Sequence, residues 1–307
     1  MNVCFMGSME FAVPILEGLN EKYNVKLVIT QPDKPVGRKR VLTPTPVKEK
    51  ALDLGLDVFQ PVNIKKDHKL ITDLALDLII VAAYGQMIPE NVLAHAKTRA
   101  INVHASLLPK YRGGSPMHRA IQYGDSETGV SIMYMAMKMD AGDVLAQKSI
   151  PIEDKDNVGI IEEKLGVLGR DLLLETLENL EHIKPKKQDI EKVTFAYNIK
   201  PEEERINFNQ TAKAIYNHVR GFYPWPLTYC VIDNLKVKLY DVNYLDENFS
   251  NRAGEIVKID KQGVYIQTKN GVIILKDIQL QGKKRMLIRD FMNGVGKSLF
   301  LEKKLFD

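Results

Sequence analysis

The chain reads Ala-Ile-Asn-Val-His-Ala-Ser-Leu-Leu-Pro-Lys-Tyr-Arg-Gly-Gly over residues 100–114 and Met-Asp-Ala-Gly-Asp over residues 139–143. Asn102 and His104 alternate with apolar residues, which predicts a strand that directs both polar side chains from one face. Pro109 cannot donate to a sheet ladder, so the strand must end before it. Ligands of open parallel sheets bind at the carboxyl ends of strands, and we predict a site there.

The chemistry of these side chains indicates what the site could do. The amide of Asn102 can donate to a developing oxyanion, and His104 can change protonation near neutral pH. A third, acidic group must come from another segment, and Asp140 is the best candidate because the glycine that follows closely allows a tight loop. From spacing alone, a polar pair that serves only the fold remains the commoner interpretation.

Length and composition set the broad class. The 307 residues exceed the usual size of one domain, and 45% hydrophobic with 27% charged residues is typical of globular proteins. The start of the chain has no charged region and no long apolar run, so we expect no secretion signal, no membrane span and a cytoplasmic location. Cys4 and Cys230 lack metal-ligand spacing, and the six histidines form no ligand cluster, so we expect buried thiols and no metal.

The first half of the chain has the pattern of a doubly wound, Rossmann-like α/β domain. Apolar runs at residues 2–6 and 25–30 flank a segment with helical spacing. The turn after the first run has one glycine and lacks the G-x-G-x-x-G pattern, which makes a nicotinamide or flavin cofactor improbable. A continuous apolar run at 78–84 suits a strand covered on both faces.

Further elements follow from periodicity and punctuation. Helices are predicted at residues 46–55, 65–76, 117–123, 158–180 and 211–220, and strands at 58–60, 128–136 and 144–152. The last two strands would form a hairpin that brings Asp140 back toward His104. Short strands are predicted at 227–232, 237–242, 254–259, 263–268 and 271–275, which suggests a small OB-like β-barrel.

Charge is distributed unevenly along the chain. Residues 206–307 contain 16 lysines and arginines against 10 acids, whereas the rest of the chain has a small acidic excess. Contact with a polyanion and a merely solvated basic surface are equally compatible with this composition. We predict a catalytic domain over 1–188, a linker over 189–205 and an OB-like domain over 206–307.

Residues 31–48 form an unusual basic stretch. Four prolines and Gly37 predict that it contains no regular element, and Asp33 is its only acid. Such a loop beside a cleft can bind phosphates, although an ordinary exposed loop is the alternative.

These segments together resemble a known family. Residues 102–109, 111–116 and 140–143 resemble the signature of the 10-formyltetrahydrofolate-dependent formyltransferases, and within it the members that act on initiator tRNA. The resemblance implies transfer of a formyl group to the α-amino group of methionyl initiator tRNA. It assigns stabilisation of the alkoxide to Asn102 and His104, and to Asp140 the orientation of the imidazole and help in removing the proton of the amine.

The resemblance also implies the binding partners. It assigns the folate pocket to four residues after the strand, Ser106, Leu107, Leu108 and Pro109. It places Arg38 against the tRNA acceptor arm, with Lys39 and Arg40 as neighbouring charge. It further implies 10-formyltetrahydrofolate as cosubstrate and no tightly bound cofactor. Apart from the resemblance, we expect no metal and a monomer. The family usually has Thr-Pro where this chain has Ser8 and Met9.

Two other functions are compatible with the sequence. One is formylation of a small amine, such as an amino sugar or glycinamide ribonucleotide, on the same catalytic domain. The other is a non-catalytic RNA-binding protein on the same scaffold.

Overall fold

A computed structural model describes residues 1–37, 39–301 and 304–307. The chain forms two compact units, and each is described by itself below. The first unit comprises residues 1–116, 127–151 and 161–197, and the second comprises 117–126, 152–160 and 198–307.

The first unit is organised around a mostly parallel sheet. Its described strands are β1 (Asn2–Gly7), β2 (Asn24–Ile29), β3 (Lys34–Val36), β4 (Val41–Thr43), β5 (Val58–Phe59), β6 (Leu78–Ala82), β7 (Ile101–His104), β8 (Glu127–Tyr134) and β9 (Val144–Pro151). Seven of these form one sheet in the order β5-β2-β1-β6-β7-β8-β9. The parallel pairs are β5 with β2, β2 with β1, β1 with β6 and β6 with β7. The pairs of β7 with β8 and of β8 with β9 are antiparallel.

Burial explains why the central strands are continuously apolar. In β1, Val3, Cys4, Phe5 and Met6 are fully buried, and Leu78, Ile79 and Ile80 of β6 are fully buried as well. Both faces of a parallel sheet are covered, so apolar residues are required at every position. Polar groups are therefore concentrated where the strands end.

Among the described residues, the helices are short apart from α6 (Val158–Glu178), which spans 21 residues. They are α1 (Val13–Lys22), α2 (Pro46–Asp53), α3 (Lys69–Thr72), α4 (Glu90–Leu93), α5 (Pro116–Gln122), α6 (Val158–Glu178), α7 (Ala212–Gly221), α8 (Ile288–Met292) and α9 (Gly296–Leu299). Single turns of 3-10 helix occur at Glu10–Ala12, Leu180–His182, Ile190–Lys192 and Pro201–Glu204. Capping starts α2, where Thr45 Oγ1 accepts from Lys48 N at 3.1 Å, and α7, where Thr211 Oγ1 accepts from Ala214 N at 3.2 Å.

The second unit is built on an antiparallel sheet. Its described strands are β10 (Thr228–Ile232), β11 (Leu235–Leu245), β12 (Ile256–Asp260), β13 (Gly263–Gln267), β14 (Val272–Leu280) and β15 (Met286–Leu287). The order is β10-β11-β14-β13-β12, and β15 pairs with β14. Ile215 and Val219 of α7 pack into the core of this sheet.

The C-terminal segment bridges the two edges of this sheet. Asp307 exchanges two backbone hydrogen bonds with Val231 on β10, at 3.0 and 2.8 Å. On the other edge, Ile256 N of β12 donates to the carbonyl of Lys304 at 2.8 Å. Both edge strands are therefore paired, as in a small barrel.

The predicted fold class is confirmed, with a Rossmann-like α/β sheet followed by an antiparallel, strand-rich domain. Two predictions of local structure are wrong. Residues 31–48 contain the hairpin β3–β4, because a two-stranded ribbon has free edges that tolerate proline, and Pro35 pairs with Leu42. The helix predicted over 65–76 is reduced to α3, where Ile71 is buried but Leu70 is 54% exposed.

Candidate active site

Strand β7 lies between β6 and β8 in the sheet and carries two polar side chains, Asn102 and His104. It pairs with β6 through Val81 and Asn102, and with β8 through Ser131 and His104. Only 8% of Asn102 and 6% of His104 is exposed. Residues two apart on a strand lie on the same face, so the predicted amide and imidazole are neighbours at the carboxyl end of β7.

The imidazole of His104 has a protein group on each side. Its Nε2 lies 3.0 Å from the carbonyl oxygen of Tyr111, which can only accept, so Nε2 carries a hydrogen. Its Nδ1 lies 3.8 Å from Oδ1 of Asp140. This separation is longer than a direct hydrogen bond. In the neutral ring the lone pair of Nδ1 is therefore available on the side of the carboxylate.

Asp140 lies in the loop between β8 and β9 and is held from two directions. Its Oδ2 accepts from the backbone N–H of Gly113 at 2.8 Å. Its own carbonyl accepts from Nε2 of Gln188 at 2.9 Å. The structure thus brings Asp140 to His104, from a position 36 residues further along the chain.

The loop after β7 holds the four residues predicted to line the folate pocket. Ser106 and Leu108 are buried, with 1% and 4% exposed, whereas Leu107 and Pro109 are half-buried. Ser131 Oγ donates to the carbonyl of Ser106 at 2.6 Å and accepts from Leu108 N at 3.0 Å.

The same loop has a further support from β9. Gln147 Nε2 donates to the carbonyl of Leu108 at 2.8 Å and to Ser131 Oγ at 2.8 Å. The backbone of this loop is therefore fixed by side chains of both antiparallel strands. Neither support is recognisable in the sequence, because Ser131 and Gln147 bond to backbone atoms of the loop.

The carboxyl ends of β1, β2 and β6 are tied together by the hydroxyl of Ser8. Its Oγ donates to the carbonyl of Tyr84 at 3.0 Å and accepts from Gln31 N at 3.1 Å and Thr30 Oγ1 at 3.3 Å. Met9, the other departure from the family pattern, is 52% exposed. The serine retains a hydroxyl at this position, and the hydroxyl has a structural use.

A cavity of about 360 Å³ opens at this edge of the sheet. It is lined by Gln31, Val62, Asn63, Lys65, Gln86 and Met87. Gln86 and Met87 belong to the loop 84–89, which follows β6. This loop lies at the carboxyl ends of the parallel strands, where the sequence predicts a ligand site.

The basic stretch forms the hairpin β3–β4 described above. Lys39 and Arg40 are exposed near its turn, and Arg38 lies outside the described residues. The base of the hairpin is fixed by Asp33, whose carboxylate pairs with Lys48 at 2.7 Å and accepts from Gln60 at 2.7 Å. The hydrogen bond from Gln60 has the largest effect and that from Lys48 the next largest, and both hold the pKa of the Asp33 carboxyl below its usual value. The start of the hairpin is therefore fixed by Asp33, and its turn exposes the positive charges of Lys39 and Arg40.

In the second unit, the basic run at 281–286 is only partly available to a ligand. Arg285 pairs with Asp277 at 2.8 Å and lies 4.1 Å from the ring centroid of Tyr240. Lys283 and Lys284 are exposed.

Several classes of site are missing from the part of the chain that the structure describes. No group of three or more histidine, cysteine, aspartate or glutamate side chains there could hold a metal ion. Cys4 and Cys230 are fully buried free thiols, and burial raises the pKa of both. Across the same described residues, no helix is both long and apolar enough to span a membrane.

Comparison with known families matches both units. Residues 1–177 match the family described as formyl transferase, and residues 198–296 match the formyl transferase C-terminal domain. The methionyl-tRNA formyltransferase of Staphylococcus aureus strain MW2 is 46% identical over 304 residues, which is 97% of each chain. The protein of the same name from strain Newman is 45% identical over the same share.

Solved structures show the same fold at lower identity. HypX from Aquifex aeolicus in complex with tetrahydrofolic acid has a TM-score of 0.63 and 17% identity, over 99% of this chain and 50% of that chain. An N-formyltransferase from Helicobacter canadensis in complex with folinic acid and dTDP-3-aminofucose has a TM-score of 0.68 and 18% identity, over 89% and 98%. These likenesses concern the fold alone.

Proposed function

This chain belongs to the formyl transferase family, and we propose that it transfers a formyl group from 10-formyltetrahydrofolate to the α-amino group of methionyl initiator tRNA. The observation that carries the proposal is the match, over nearly the full length of both chains, to relatives named methionyl-tRNA formyltransferase. Folate enters as a cosubstrate that leaves as tetrahydrofolate, so no tightly bound cofactor is required.

Asn102 is the candidate donor to the oxyanion. Attack of the amine on the formyl carbon moves the carbonyl electron pair onto oxygen, and the reaction is accelerated by donors aimed at that oxygen. Among the described residues, the structure gives the Asn102 side-chain amide no hydrogen-bond partner, although the residue is largely buried. One such donor contributes on the order of 3 kcal/mol to lowering the barrier.

His104 and Asp140 are the candidates for moving the proton. The amine must lose a proton after it attacks, and N10 of the folate must gain one as its bond to the formyl carbon breaks. With Nε2 committed to Tyr111, the lone pair of Nδ1 is the acceptor, and the carboxylate 3.8 Å away would stabilise the resulting imidazolium. The same proton can then pass to N10, so the step is balanced.

The hairpin β3–β4 is the candidate for contact with tRNA phosphates. Lys39 and Arg40 are exposed on it, and arginine and lysine bind phosphate oxygens without regard to base sequence. We propose that Arg38 contacts the tRNA acceptor arm, as the family resemblance implies. We also propose that residues 106–109 shape the folate pocket, which is again what the resemblance implies.

The proposed substrate also indicates where the protein acts. Charged initiator tRNA is used where translation starts, so we expect the protein to act in the cytoplasm. We also expect a monomer, which the elution volume of the purified protein on a calibrated size-exclusion column would test.

The experiment that tests the proposed function is a formylation assay with three acceptors. Purified protein and 10-formyltetrahydrofolate are supplied with methionyl initiator tRNA, with an amino sugar nucleotide, or with glycinamide ribonucleotide. Formylation of the tRNA alone is expected. Formylation of only a small amine would replace the proposed acceptor, and an inert protein that still binds tRNA would indicate a non-catalytic RNA-binding role.

A further inference from the structure

Residues 186–196 run beside the two loops that contact His104. The backbone of Lys186 exchanges two hydrogen bonds with Val144, both at 2.8 Å. Further along, Arg112 N donates to the carbonyl of Thr194 at 2.9 Å, and Ala196 N donates to the carbonyl of Arg112 at 2.8 Å. This strap, as we call residues 186–196, is thus paired with both loops.

Each of the two loops contains a strained residue next to the imidazole. Tyr111, whose carbonyl faces Nε2, has φ of 60°, and Asp140, whose carboxylate faces Nδ1, has φ of 47°. The left-handed region costs a residue with a β-carbon about 1 kcal/mol or more. Such conformations persist only where the surroundings hold them.

The side chain of Gln188 is the point at which the strap holds the Asp140 loop. Its Nε2 donates to the carbonyl of Asp140 at 2.9 Å and to that of Gly142 at 2.8 Å. Its Oε1 accepts from Nε and Nη2 of Arg112, at 3.0 and 2.8 Å. A guanidinium only donates and a carbonyl only accepts, so the amide has a single possible orientation.

Arg112 connects this amide to the other loop. It is only 4% exposed, and it follows Tyr111, whose carbonyl faces His104. The Gln188 amide therefore links the backbone of the Asp140 loop to the side chain of Arg112. Arg112 in turn is the neighbour of Tyr111, whose carbonyl orients the His104 ring.

We propose that Gln188 is a positioning residue for formyl transfer, which holds the Asp140 carboxylate in place on the Nδ1 side of His104. The proposal rests on the proposed function, because the reaction provides the readout. Gln188 acts through the backbone of the Asp140 loop, to which its amide is bonded.

The test compares Gln188→Ala with Gln188→Glu in the full chain. The alanine variant loses all four hydrogen bonds. The glutamate variant keeps an acceptor for Arg112 but places an oxygen against the two carbonyls, so it removes the support of the Asp140 loop alone. Displacement of a catalytic group by about 1 Å can cost up to about a hundredfold in rate. We expect both variants to lower kcat by about tenfold to a hundredfold, with KM for tRNA and for folate changed less than about twofold.

The matched control is Glu191→Gln, an exposed side chain on the same strap, which should retain wild-type kcat. If Gln188→Ala does not fold, the glutamate variant alone carries the test. A kcat within about twofold of wild type in a folded variant, or a loss confined to KM, would overturn the proposal.

A double-mutant cycle separates positioning from general weakening of the fold. In an Asp140→Asn background the carboxylate is already gone, so Gln188→Ala should cost less than about twofold more in single-turnover rate. Two fully additive losses would mean that Gln188 does not act through Asp140. Wild-type protein that formylates no tRNA would instead reject the proposed function, which separates the two failures.

Discussion

At the scale of single residues, the site depends on how the two nitrogens of His104 are used. The carbonyl of Tyr111 fixes one hydrogen on Nε2, which leaves Nδ1 as the only ring atom able to take part in chemistry. The carboxylate of Asp140 lies on that side and is itself held by the backbone N–H of Gly113. The ring is therefore oriented by a carbonyl, and the Asp140 carboxylate, held by Gly113, faces the nitrogen that we propose takes up the proton.

Removing either member of this pair should suppress the reaction. We expect His104→Ala and Asp140→Ala each to lower kcat by about a hundredfold or more, because each removes a group needed only as charge develops. tRNA affinity should remain near wild type. Asp53→Asn, at an exposed position at the end of α2, is the control and should be fully active. Single-turnover kinetics and a tRNA-binding titration measure both quantities, and near-normal turnover in either alanine variant would exclude that residue from the mechanism.

Gly142 should tolerate no side chain. A β-carbon there would lie 1.8 Å from the carbonyl oxygen of Tyr134, and a backbone atom of β8 cannot move aside cheaply. We expect Gly142→Ala to lower the free energy of unfolding by roughly 3 kcal/mol and to reduce activity, because the loop of Asp140 must shift. Gly294→Ala is the control, since the nearest atom to its β-carbon would be 3.8 Å away. Thermal unfolding of both variants decides this, and equal stability would show that the loop has room.

The sequence points to some residues of the candidate site and not to others, for a physical reason. Asn102, His104 and Asp140 are candidates in the sequence because their side chains carry chemistry and stand in a distinctive context, and the structure brings His104 and Asp140 together. Gln188 and Gln147 are not, because their partners are mainly backbone carbonyls that any sequence supplies. Positions of that kind become visible only when the chain is folded.

At the scale of elements, the hairpin β3–β4 is the place where the structure departs most from the prediction for a loop. The prolines of this stretch predict no regular structure, yet Pro35 lies in β3, where a two-stranded ribbon does not require its N–H. By contrast, β1 and β6 were predictable, because full burial on both faces leaves a continuous apolar run in the sequence. The bridging of the barrel edges by residues 304–307 depends on long-range pairing that no local pattern encodes.

The charges of the hairpin should affect tRNA and not folate. We expect Lys39→Ala combined with Arg40→Ala to raise KM for tRNA several-fold and to make the dependence of log affinity on log salt shallower by about one to two. KM for folate should stay unchanged. Lys26→Ala, an exposed lysine on β2, is the matched control. Initial rates at several salt concentrations measure this, and a rise in KM for folate alone would mean that the hairpin serves the other substrate.

At the scale of the whole molecule, each of the two units contains a hydrophobic cluster of its own, so we expect that the chain need not unfold in one step. The single tryptophan of the sequence, Trp225, lies in the second unit. Its fluorescence therefore follows the unfolding of that unit without a signal from a tryptophan in the first.

A half-buried histidine, His118, and a buried one, His218, should make the second unit sensitive to acid. His118 and His218 pack edge-on against Phe222, with ring centroids 6.4 and 4.5 Å away, and burial holds the pKa of each ring at about 4. In the unfolded chain a histidine titrates near its ordinary value of about 6.5. Between these values the unfolded chain binds protons that the folded unit does not, so the free energy of unfolding falls as the pH is lowered from about 6.5 toward 4. Above about pH 6.5 the full contribution is present.

His218, which is only 7% exposed, allows the size of this effect to be tested. A group with these two pKa values loses about 2 kcal/mol between pH 7 and pH 5. We expect His218→Gln to reduce the loss of stability over this range by about that amount, whereas His182→Gln, at an exposed position, should leave it unchanged. The measurement is urea unfolding followed by Trp225 fluorescence at both pH values. Identical pH dependence in wild type and His218→Gln would show that His218 is not protonated on unfolding in this range of pH.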